Sequence, residues 1–165
     1  MAEYRHIQRQ FGPVYDEYSR ILILGSFPSV KSREANFFYG HPQNRFWPLL
    51  GRVLDCEFPA DTDGRRALLL SRHIALWDVL DSCDIRGSSD SSIRNAVPVD
   101  IMAVLRAADI RAIYCNGTAS HTLYIRHLLP VTGREAVRLP STSPANAAWS
   151  MDRLYGEWKQ ITEWL

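Results

Sequence analysis

Aromatic, amide and imidazole side chains are concentrated in one short stretch of the sequence. Residues 37–47 read Phe-Phe-Tyr-Gly-His-Pro-Gln-Asn-Arg-Phe-Trp. Aromatic faces can stack on a nucleobase, and amide or backbone groups can read the hydrogen-bonding edge of the base. This composition favours the binding of a flat, uncharged ligand that carries hydrogen-bonding groups along its edge.

Three more loops of unusual composition each follow a predicted strand. Their sequences are Gly25-Ser26-Phe27-Pro28-Ser29, Asn116-Gly117 and Pro140-Ser141-Thr142-Ser143-Pro144-Ala145-Asn146. Ligands of an open parallel sheet bind outside the carboxyl ends of its strands, where such loops converge. We therefore expect the three loops to lie on one edge of the sheet, with residues 37–47 folded over the same crevice.

The sequence lacks the patterns of several common chemistries. The first loop matches neither the dinucleotide-binding Gly-x-Gly-x-x-Gly pattern nor the phosphate-binding loop of nucleoside triphosphatases. There is no Gly-x-Ser-x-Gly nucleophile elbow. The five histidines and three cysteines are scattered, without the spacing of metal ligands or of a disulfide framework. We expect no metal, no cofactor and three reduced thiols.

Four short apolar runs predict strands, and segments with helical spacing lie between them. The runs are Ile21 to Leu24, His73 to Leu80, Ile110 to Cys115 and Ala136 to Leu139. The predicted helices are Asn44 to Leu54, Asp61 to Ser71, Asp100 to Ala107 with Asp100 as cap, Thr118 to Leu129, and a C-terminal helix from Met151 capped by Ser150. This alternation favours an α/β fold with a parallel sheet covered by helices. The polar stretch from Asp84 to Asn95 predicts a loop, and the structure of the first 20 residues is left open.

The size and charge of the chain limit its organisation and its partners. Its 165 residues, 46% hydrophobic and 22% charged, predict one domain over residues 1–165. A net charge of +1 argues against a polybasic arm that wraps nucleic acid by charge alone. No apolar run approaches the roughly 20 residues that span a bilayer, and the N-terminus lacks the pattern of a secretory signal. We therefore expect a cytoplasmic protein that does not contact membranes.

Four segments together resemble a known family. Gly25-Ser-Phe-Pro-Ser after a buried strand, followed by His41-Pro-Gln-Asn-Arg-Phe-Trp, is similar to the uracil-DNA glycosylase superfamily. The resemblance continues through Tyr114-Cys-Asn-Gly and Leu139-Pro-Ser-Thr-Ser-Pro-Ala-Asn, so it covers about residues 20–160. It is nearest to the deoxyinosine (hypoxanthine) DNA glycosylase branch, with the mismatch-specific uracil glycosylases as cousins.

The resemblance implies a three-layer α/β/α sandwich with a central four-stranded parallel sheet. It also implies a monofunctional DNA glycosylase that flips out a deaminated base and hydrolyses its N-glycosidic bond, leaving an abasic site in base excision repair. Hypoxanthine is the expected base, with uracil and xanthine as alternatives. The expected partner is double-stranded DNA, with single-stranded DNA as an alternative, and we expect a monomer. Lyase-type glycosylases need an amine, and only Lys31 and Lys159 are lysines here.

Asn44 is the catalytic residue that the resemblance implies. Many uracil-excising relatives carry Asn or Asp at the position of Phe27, where that residue handles the attacking water. Phenylalanine cannot do so, and the motif pattern of the deoxyinosine branch puts the catalytic duty on the asparagine of His-Pro-Gln-Asn. An amide cannot deprotonate water, so we expect Asn44 to orient the water or to support the charged sugar. The alternative is that Asn44 satisfies backbone groups at a helix start.

Four other residues are expected to bind the everted base. Tyr39 would stack on the base and Phe27 would form the opposite wall, although both positions also suit core packing. Asn116 would read the edge of the base, or else form an Asn-Gly turn. His41 would donate to the departing base when protonated, or hold its loop. The first motif loop is completed by Gly25, Ser26, Pro28 and Ser29.

The expected DNA contacts are Arg45, Ser141, Ser143, Pro144 and Asn146. The serines and Asn146 would donate to phosphates, while Pro144 or Ala145 would help to hold the gap left by the everted nucleotide. The competing interpretation is that Ser143 caps a helix whose first residue is Pro144. Arg45 would contact a phosphate, or pair with an acid such as Asp78.

Three other functions are compatible with these residues. A non-catalytic nucleic-acid-binding module on the same fold is favoured by Phe27 in the first motif. A uracil-specific or mismatch-specific glycosylase would use the same scaffold on another base. A hydrolase of free nucleosides or nucleotides would act on deoxyinosine itself and show no salt-dependent affinity for DNA.

Overall fold

Strands and helices alternate along most of the chain. The computed structural model describes residues 3–165, so Met1 and Ala2 of the N-terminal segment lie outside the described residues. In this part the strands are β1 (Tyr4–Gln8), β2 (Ile21–Gly25), β3 (Ile74–Asp78), β4 (Leu80–Arg86), β5 (Arg94–Pro98), β6 (Ala112–Asn116) and β7 (Val137–Leu139). The α-helices are α1 (Val30–Ala35), α2 (Phe46–Val53), α3 (Thr62–Ser71), α4 (Met102–Ala107), α5 (Thr118–His127), α6 (Leu129–Thr132) and α7 (Met151–Trp158).

A four-stranded parallel sheet forms the centre of the fold. Its strand order is β3-β2-β6-β7, and β2, which lies between β3 and β6, is buried at all five positions. Helix α3 packs against β3, α5 packs against β6 and β7, and α2 packs against α7. The predicted α/β/α sandwich with a central four-stranded parallel sheet is therefore confirmed. None of the helices in residues 3–165 has the length and apolar character needed to cross a bilayer.

A second sheet, antiparallel and three-stranded, was not predicted. Its order is β1-β4-β5. The run His73 to Leu80 was predicted as one strand, but it breaks at Val79, where the chain leaves β3 and enters β4. The predicted loop from Asp84 to Asn95 is also wrong at both ends, because β4 continues to Arg86 and β5 begins at Arg94. Polar side chains that pair across the strands, such as Asp84 with Asn95, hide the strand pattern in the sequence.

Helix starts follow the local capping chemistry. Asp61 caps α3 and Ser150 caps α7 through side-chain bonds to backbone N–H groups, and Ser150 was predicted to do so. Asp100 does not cap α4, because that helix begins at Met102, after Ile101, without a side-chain cap. Helix α2 begins at Phe46, so Pro48 sits in its first turn, where the missing N–H group is not needed.

One buried ion pair joins the two sheets. Arg9 follows β1, and its guanidinium donates to Asp78 Oδ2 at 3.2 Å, to the carbonyl of Leu80 at 3.1 Å and to the carbonyl of Phe11 at 2.9 Å. The side chains of Arg9 and Asp78 are only 4% and 6% exposed. Burial raises the pKa of Asp78, and the charge of Arg9 opposes that rise. The arginine thus compensates a carboxylate at the end of β3.

Replacement of Arg9 by methionine tests this pair. Arg9→Met leaves the Asp78 carboxylate buried without its cation, so we expect the free energy of unfolding to fall by about 3–5 kcal/mol at neutral pH. The loss should shrink as the pH is lowered, because the pKa of Asp78 rises further without Arg9 and the folded variant takes up a proton more readily than the unfolded chain. Urea denaturation at two pH values measures both effects. The double variant Arg9→Met/Asp78→Asn should recover part of the stability; a single variant as stable as the parent would contradict the assignment.

Candidate active site

The carboxyl ends of the parallel strands open into one cavity of about 260 Å³. The loop after β2, the segment after α1, the end of β6 and the loop after β7 all contribute to its wall. Representative lining residues are Ser26, Phe27, Tyr39, Asn44, Asn116 and Thr142. The three loops predicted to share one edge of the sheet do so, and residues from the 37–47 segment close the same crevice.

Tyr39 is held in a constrained position inside this cavity. Its backbone is left-handed, with φ of 52°, and its ring stacks on Phe46 with centroids 4.2 Å apart and an interplanar angle of 26°. The hydroxyl is buried and has no hydrogen-bond partner among the described residues. Burial raises the pKa of Tyr39 well above its usual value, and the charge of Asp78 adds to the rise. Tyr39 therefore stays a neutral phenol, with its ring stacked on Phe46 and its side chain lining the cavity.

Gly25 permits the close approach of these groups at the end of β2. A Cβ atom at this position would lie 2.3 Å from Asp78 Oδ1 and 3.2 Å from the hydroxyl of Tyr39. Any larger residue would therefore displace the floor of the cavity.

The carboxamide of Asn44 has a fixed orientation. Its Oδ1 accepts a hydrogen bond from the backbone N–H of Phe46 at 2.9 Å and a second from the hydroxyl of Thr142 at 2.9 Å. Because a backbone N–H can only donate, the atom facing it must be the oxygen. The Nδ2 group has no protein partner in the described part of the chain, and Asn44 lines the cavity. Asn44 Oδ1 thus satisfies a backbone group at the start of α2, which is the alternative that the sequence left open. Nδ2 is the end of the same side chain that is available to a ligand.

Thr142 connects the two asparagines of the site and was not singled out from the sequence. It is fully buried. Its backbone N–H donates to Asn116 Oδ1 at 3.0 Å, and its hydroxyl accepts from Asn116 Nδ2 at 3.0 Å while donating to Asn44 Oδ1. Its carbonyl accepts from the backbone N–H of Arg45. The only sequence signal was its place between two serines that were themselves predicted to contact DNA.

The remaining predicted base-binding residues also line the cavity. His41 Nδ1 accepts a hydrogen bond from the backbone N–H of Gln43 at 3.0 Å, so a neutral ring carries its proton on Nε2. Phe27 is 7% exposed and forms part of the wall beside Pro28. Ser29 caps α1 through its hydroxyl, so its predicted place in the motif loop coincides with a structural role.

Arg45 holds the loop after β7. Its guanidinium donates to the backbone carbonyls of Ser143, Asn146 and Trp149. The proposed pairing with Asp78 is wrong, because Asp78 pairs with Arg9. With its donors directed at three carbonyls, Arg45 is better suited to shaping this loop than to the predicted phosphate contact.

The predicted DNA-contact loop is a series of turns. Ser143 and Pro144 do not start a helix; the backbone N–H of Asn146 bonds to the carbonyl of Ser143 in a turn. The Asn146 amide donates to the carbonyl of Ser141 at 3.0 Å. The hydroxyls of Ser141 and Ser143 each accept a backbone N–H, which leaves their protons available for an acceptor such as phosphate.

Two carboxylates line the cavity, and only one of them can meet solvent. Asp78 is buried in its pair with Arg9. Asp90 lines the cavity and is exposed to solvent, and its Oδ1 accepts from the hydroxyl of Ser26 at 2.7 Å. The surrounding protein partly desolvates the carboxyl group and raises the pKa of Asp90, and the hydrogen bond from Ser26 opposes that rise. Asp90 lies in the stretch from Asp84 to Asn95 that the sequence predicts as a polar loop, and it was not among the predicted site residues. Within residues 3–165 no group of three or more His, Cys, Asp or Glu side chains is arranged to hold a metal ion.

Substitution of Thr142 tests the hydrogen-bond network. Thr142→Val keeps the shape of the side chain but removes the hydroxyl, so Asn116 Nδ2 loses its acceptor and Asn44 Oδ1 loses one donor. We expect the free energy of unfolding to fall by about 1–3 kcal/mol, measured by urea denaturation, and the side-chain amide NMR signals of both asparagines to move. Thr142→Ser retains the hydroxyl and should stay close to the parent. Equal stability of all three proteins would show that the hydroxyl of Thr142 does not stabilise the fold.

Comparisons with known proteins identify the family of the chain. Residues 13–164 match the family model of the uracil DNA glycosylase superfamily. The chain is 35% identical over 158 residues to a hypoxanthine DNA glycosylase of Methanosarcina acetivorans, covering 94% of this chain and 98% of the relative. It is 34% identical over 139 residues to a hypoxanthine DNA glycosylase of Methanosarcina barkeri, covering 82% and 86%. The solution NMR structure of a candidate uracil DNA glycosylase from Methanosarcina acetivorans superposes with a TM-score of 0.79 at 34% identity, covering 94% of this chain and 96% of that one. The resemblance found in the sequence is confirmed, and the chain belongs to the uracil DNA glycosylase superfamily.

Proposed function

We propose that this protein is a monofunctional DNA glycosylase that everts a deaminated nucleotide from duplex DNA and hydrolyses its N-glycosidic bond. Hypoxanthine is the proposed base, ahead of uracil and xanthine. The observation that carries the proposal is the Nδ2 group of Asn44, an oriented donor without a protein partner in a cavity walled by aromatic rings. The relatives named hypoxanthine DNA glycosylases support the choice of base.

The cavity suits a purine that lacks an exocyclic amine. Hypoxanthine presents acceptors at O6 and N7, and the site offers donors from Asn44 Nδ2 and His41 Nε2. Tyr39 and Phe27 supply aromatic surface for the flat faces of the base. Both rings are neutral, so the recognition of the faces depends on stacking rather than on charge.

The geometry favours stabilisation of the leaving base. When the glycosidic bond breaks, negative charge collects on the base and positive charge on the sugar. A preorganised N–H donor in a water-poor site stabilises the negative charge strongly. Asn44 Oδ1 is already occupied by two donors, so the oxygen is not available to hold water, and the proposed role of Asn44 is donation from Nδ2 to the departing base.

We also propose that the protein acts as a monomer on duplex DNA. The loop after β7 reaches the cavity mouth, where the hydroxyl protons of Ser141 and Ser143 can meet phosphate oxygens. Pro144 and Ala145 lie beside them, placed to fill the gap that an everted nucleotide leaves.

A non-catalytic DNA-binding module is the second candidate. Phe27 favours it, because an apolar ring occupies the motif position at which many uracil-excising relatives carry a polar residue. Such a protein would retain a duplex containing deoxyinosine without cutting its glycosidic bond.

Alkali treatment separates the two candidates. The protein is incubated under single-turnover conditions with an end-labelled duplex carrying one deoxyinosine, uracil or xanthine, and alkali then breaks the strand at any abasic site. We expect scission with the deoxyinosine duplex and none with an unmodified control duplex. Retention of the deoxyinosine duplex in a gel-shift assay without scission would support the binding module instead.

Two substitutions of Asn44 test the role of its amide. Asn44→Ala removes the donor and should lower the single-turnover rate by about 10²–10³-fold. Asn44→Asp keeps an oxygen for Phe46 and Thr142 but places negative charge against the departing base, so we expect it to be at least as slow. Circular dichroism checks the fold of both variants. A fully active Asn44→Asp variant would contradict the donor role, and a fully active Asn44→Ala variant would contradict the assignment of Asn44.

Borohydride trapping tests the monofunctional assignment. Lys31 and Lys159 are exposed, and neither lines the cavity. A lyase would join an amine to the sugar through a Schiff base, which borohydride reduces to a stable bond. We expect no covalent protein–DNA adduct on a denaturing gel. An adduct that disappears in Lys31→Arg or Lys159→Arg would reverse the assignment.

A further inference from the structure

The proposed reaction needs a group that can take a proton from water. Hydrolysis adds the oxygen of a water molecule to the sugar, and that water must lose a proton. The available end of Asn44 is a donor, so it cannot accept this proton. A residue at the cavity with an accessible basic lone pair would supply this acceptor next to the sugar.

Most polar groups of the cavity are unsuited to this task. Tyr39 is a neutral buried phenol whose pKa is raised, so it already carries its proton. His41 Nδ1 is occupied by the backbone N–H of Gln43, and Nε2 of the neutral ring carries the proton. Asp78 is buried, with one oxygen bound by Arg9 and the other held against Gly25. None of the three offers an accessible basic lone pair.

Asp90 is the carboxylate that meets the requirement. Its Oδ1 accepts from the hydroxyl of Ser26 at 2.7 Å, and Oδ2 has no hydrogen-bond partner in the described part of the chain. Its side chain lines the same cavity as Asn44, and the residue is exposed to solvent. Ser26 immediately follows β2, so the bond ties the carboxylate to the loop that forms the cavity floor.

The segment that carries Asp90 is itself anchored. The hydroxyl of Ser88 accepts from the backbone N–H of Val30 at 2.8 Å, and Arg33 donates to the carbonyl of Gly87 at 3.0 Å. Asp90 then begins a short 3₁₀ helix that ends at Ser92, whose hydroxyl accepts from the backbone N–H of Arg86. These bonds tie the segment to α1 and to β4. They hold the carboxylate in a defined place, as proton transfer requires.

We propose that Asp90 is the general base of the reaction, acting on a water held between its Oδ2 and the sugar of the everted nucleotide. The inference rests on the proposed glycosylase function. The water oxygen forms a bond to C1′ while the bond from C1′ to the base breaks, and the electron pair of the broken bond leaves with the base. One water proton passes to Asp90, which later releases it to solvent, and the departing base takes up a proton from solvent. The negative carboxylate also opposes the positive charge that develops on the sugar.

The environment of Asp90 suits this role. Partial desolvation of the carboxyl group by the surrounding protein raises the pKa of Asp90, while the hydrogen bond from Ser26 limits the rise. A carboxylate of higher pKa is a stronger base and accepts a proton from water more readily. In this proposal the two side chains act on opposite charges: Asn44 Nδ2 donates to the negative departing base, and the Asp90 carboxylate stabilises the positive sugar.

Substitution of Asp90 under single-turnover conditions provides the test. Asp90→Asn keeps the size of the side chain and its bond to Ser26 but cannot accept a proton, so we expect the excision rate of hypoxanthine to fall by about 10²–10⁴-fold. Affinity for the duplex should be equal or higher, since a negative charge is lost. Asp84→Asn is the matched control, because it removes a nearby carboxylate of β4 that does not line the cavity.

Chemical rescue gives a second, independent readout. Asp90→Ala should be accelerated by sodium formate relative to sodium chloride at equal ionic strength, because formate supplies the missing carboxylate. Asn44→Ala should show no such acceleration.

The outcomes separate the two proposals. A parent protein that excises none of the tested bases would contradict the proposed glycosylase function itself. An active parent overturns the role of Asp90 if Asp90→Asn excises at the parental rate, if it loses only affinity for DNA, or if Asp84→Asn is slowed equally. Formate that leaves Asp90→Ala and Asn44→Ala equally slow would also overturn it.

Discussion

The orientation of one carboxamide is the constraint on which the proposed chemistry depends. The backbone N–H of Phe46 begins helix α2 and can only donate, so it fixes Asn44 Oδ1, and the hydroxyl of Thr142 takes the second lone pair. Nδ2 is then the end of the carboxamide without a protein partner in the described residues, and Asn44 lines the cavity. An asparagine in this setting is a hydrogen-bond donor, and a donor stabilises an electron-rich leaving group but cannot activate water. The same bonds that start helix α2 therefore limit Asn44 to stabilising the departing base, and the proposed activation of water falls to Asp90.

Much of the fold could be predicted from the sequence, because its central features are local. The run Ile21 to Leu24 is apolar at every position, as a strand buried on both faces requires, and the structure buries it completely. The loops that follow such strands must meet at one edge, so Phe27, Asn116 and the loop after β7 could be placed together without coordinates. Ser150 was identified as a cap because capping depends only on a side chain and the next turn.

The features that were missed depend on contacts between distant segments. Strand β4 carries polar residues on its exposed positions, and its pairing with β1 spans more than 70 residues, as in the bond between His6 and Asp84. Arg45 lies in a conspicuous motif, yet its partners are carbonyls about 100 residues away. Asp90 became a candidate only when the fold brought it to Ser26. No pattern of spacing encodes such encounters, because they are set by how the sheets pack.

The antiparallel sheet contributes to the proposed active site. It carries the segment that presents Asp90, while the parallel sheet carries the loops that enclose Asn44. The two carboxylates that line the cavity, Asp78 and Asp90, have different roles. Asp78, at the end of β3, binds Arg9 after β1 and fixes one sheet against the other, so it is buried and unavailable to water. Asp90 binds only a serine hydroxyl and keeps one oxygen available. Because a carboxylate paired with a buried arginine is a poor proton acceptor, the structural and the chemical role require different residues, and the antiparallel sheet supplies the second of them.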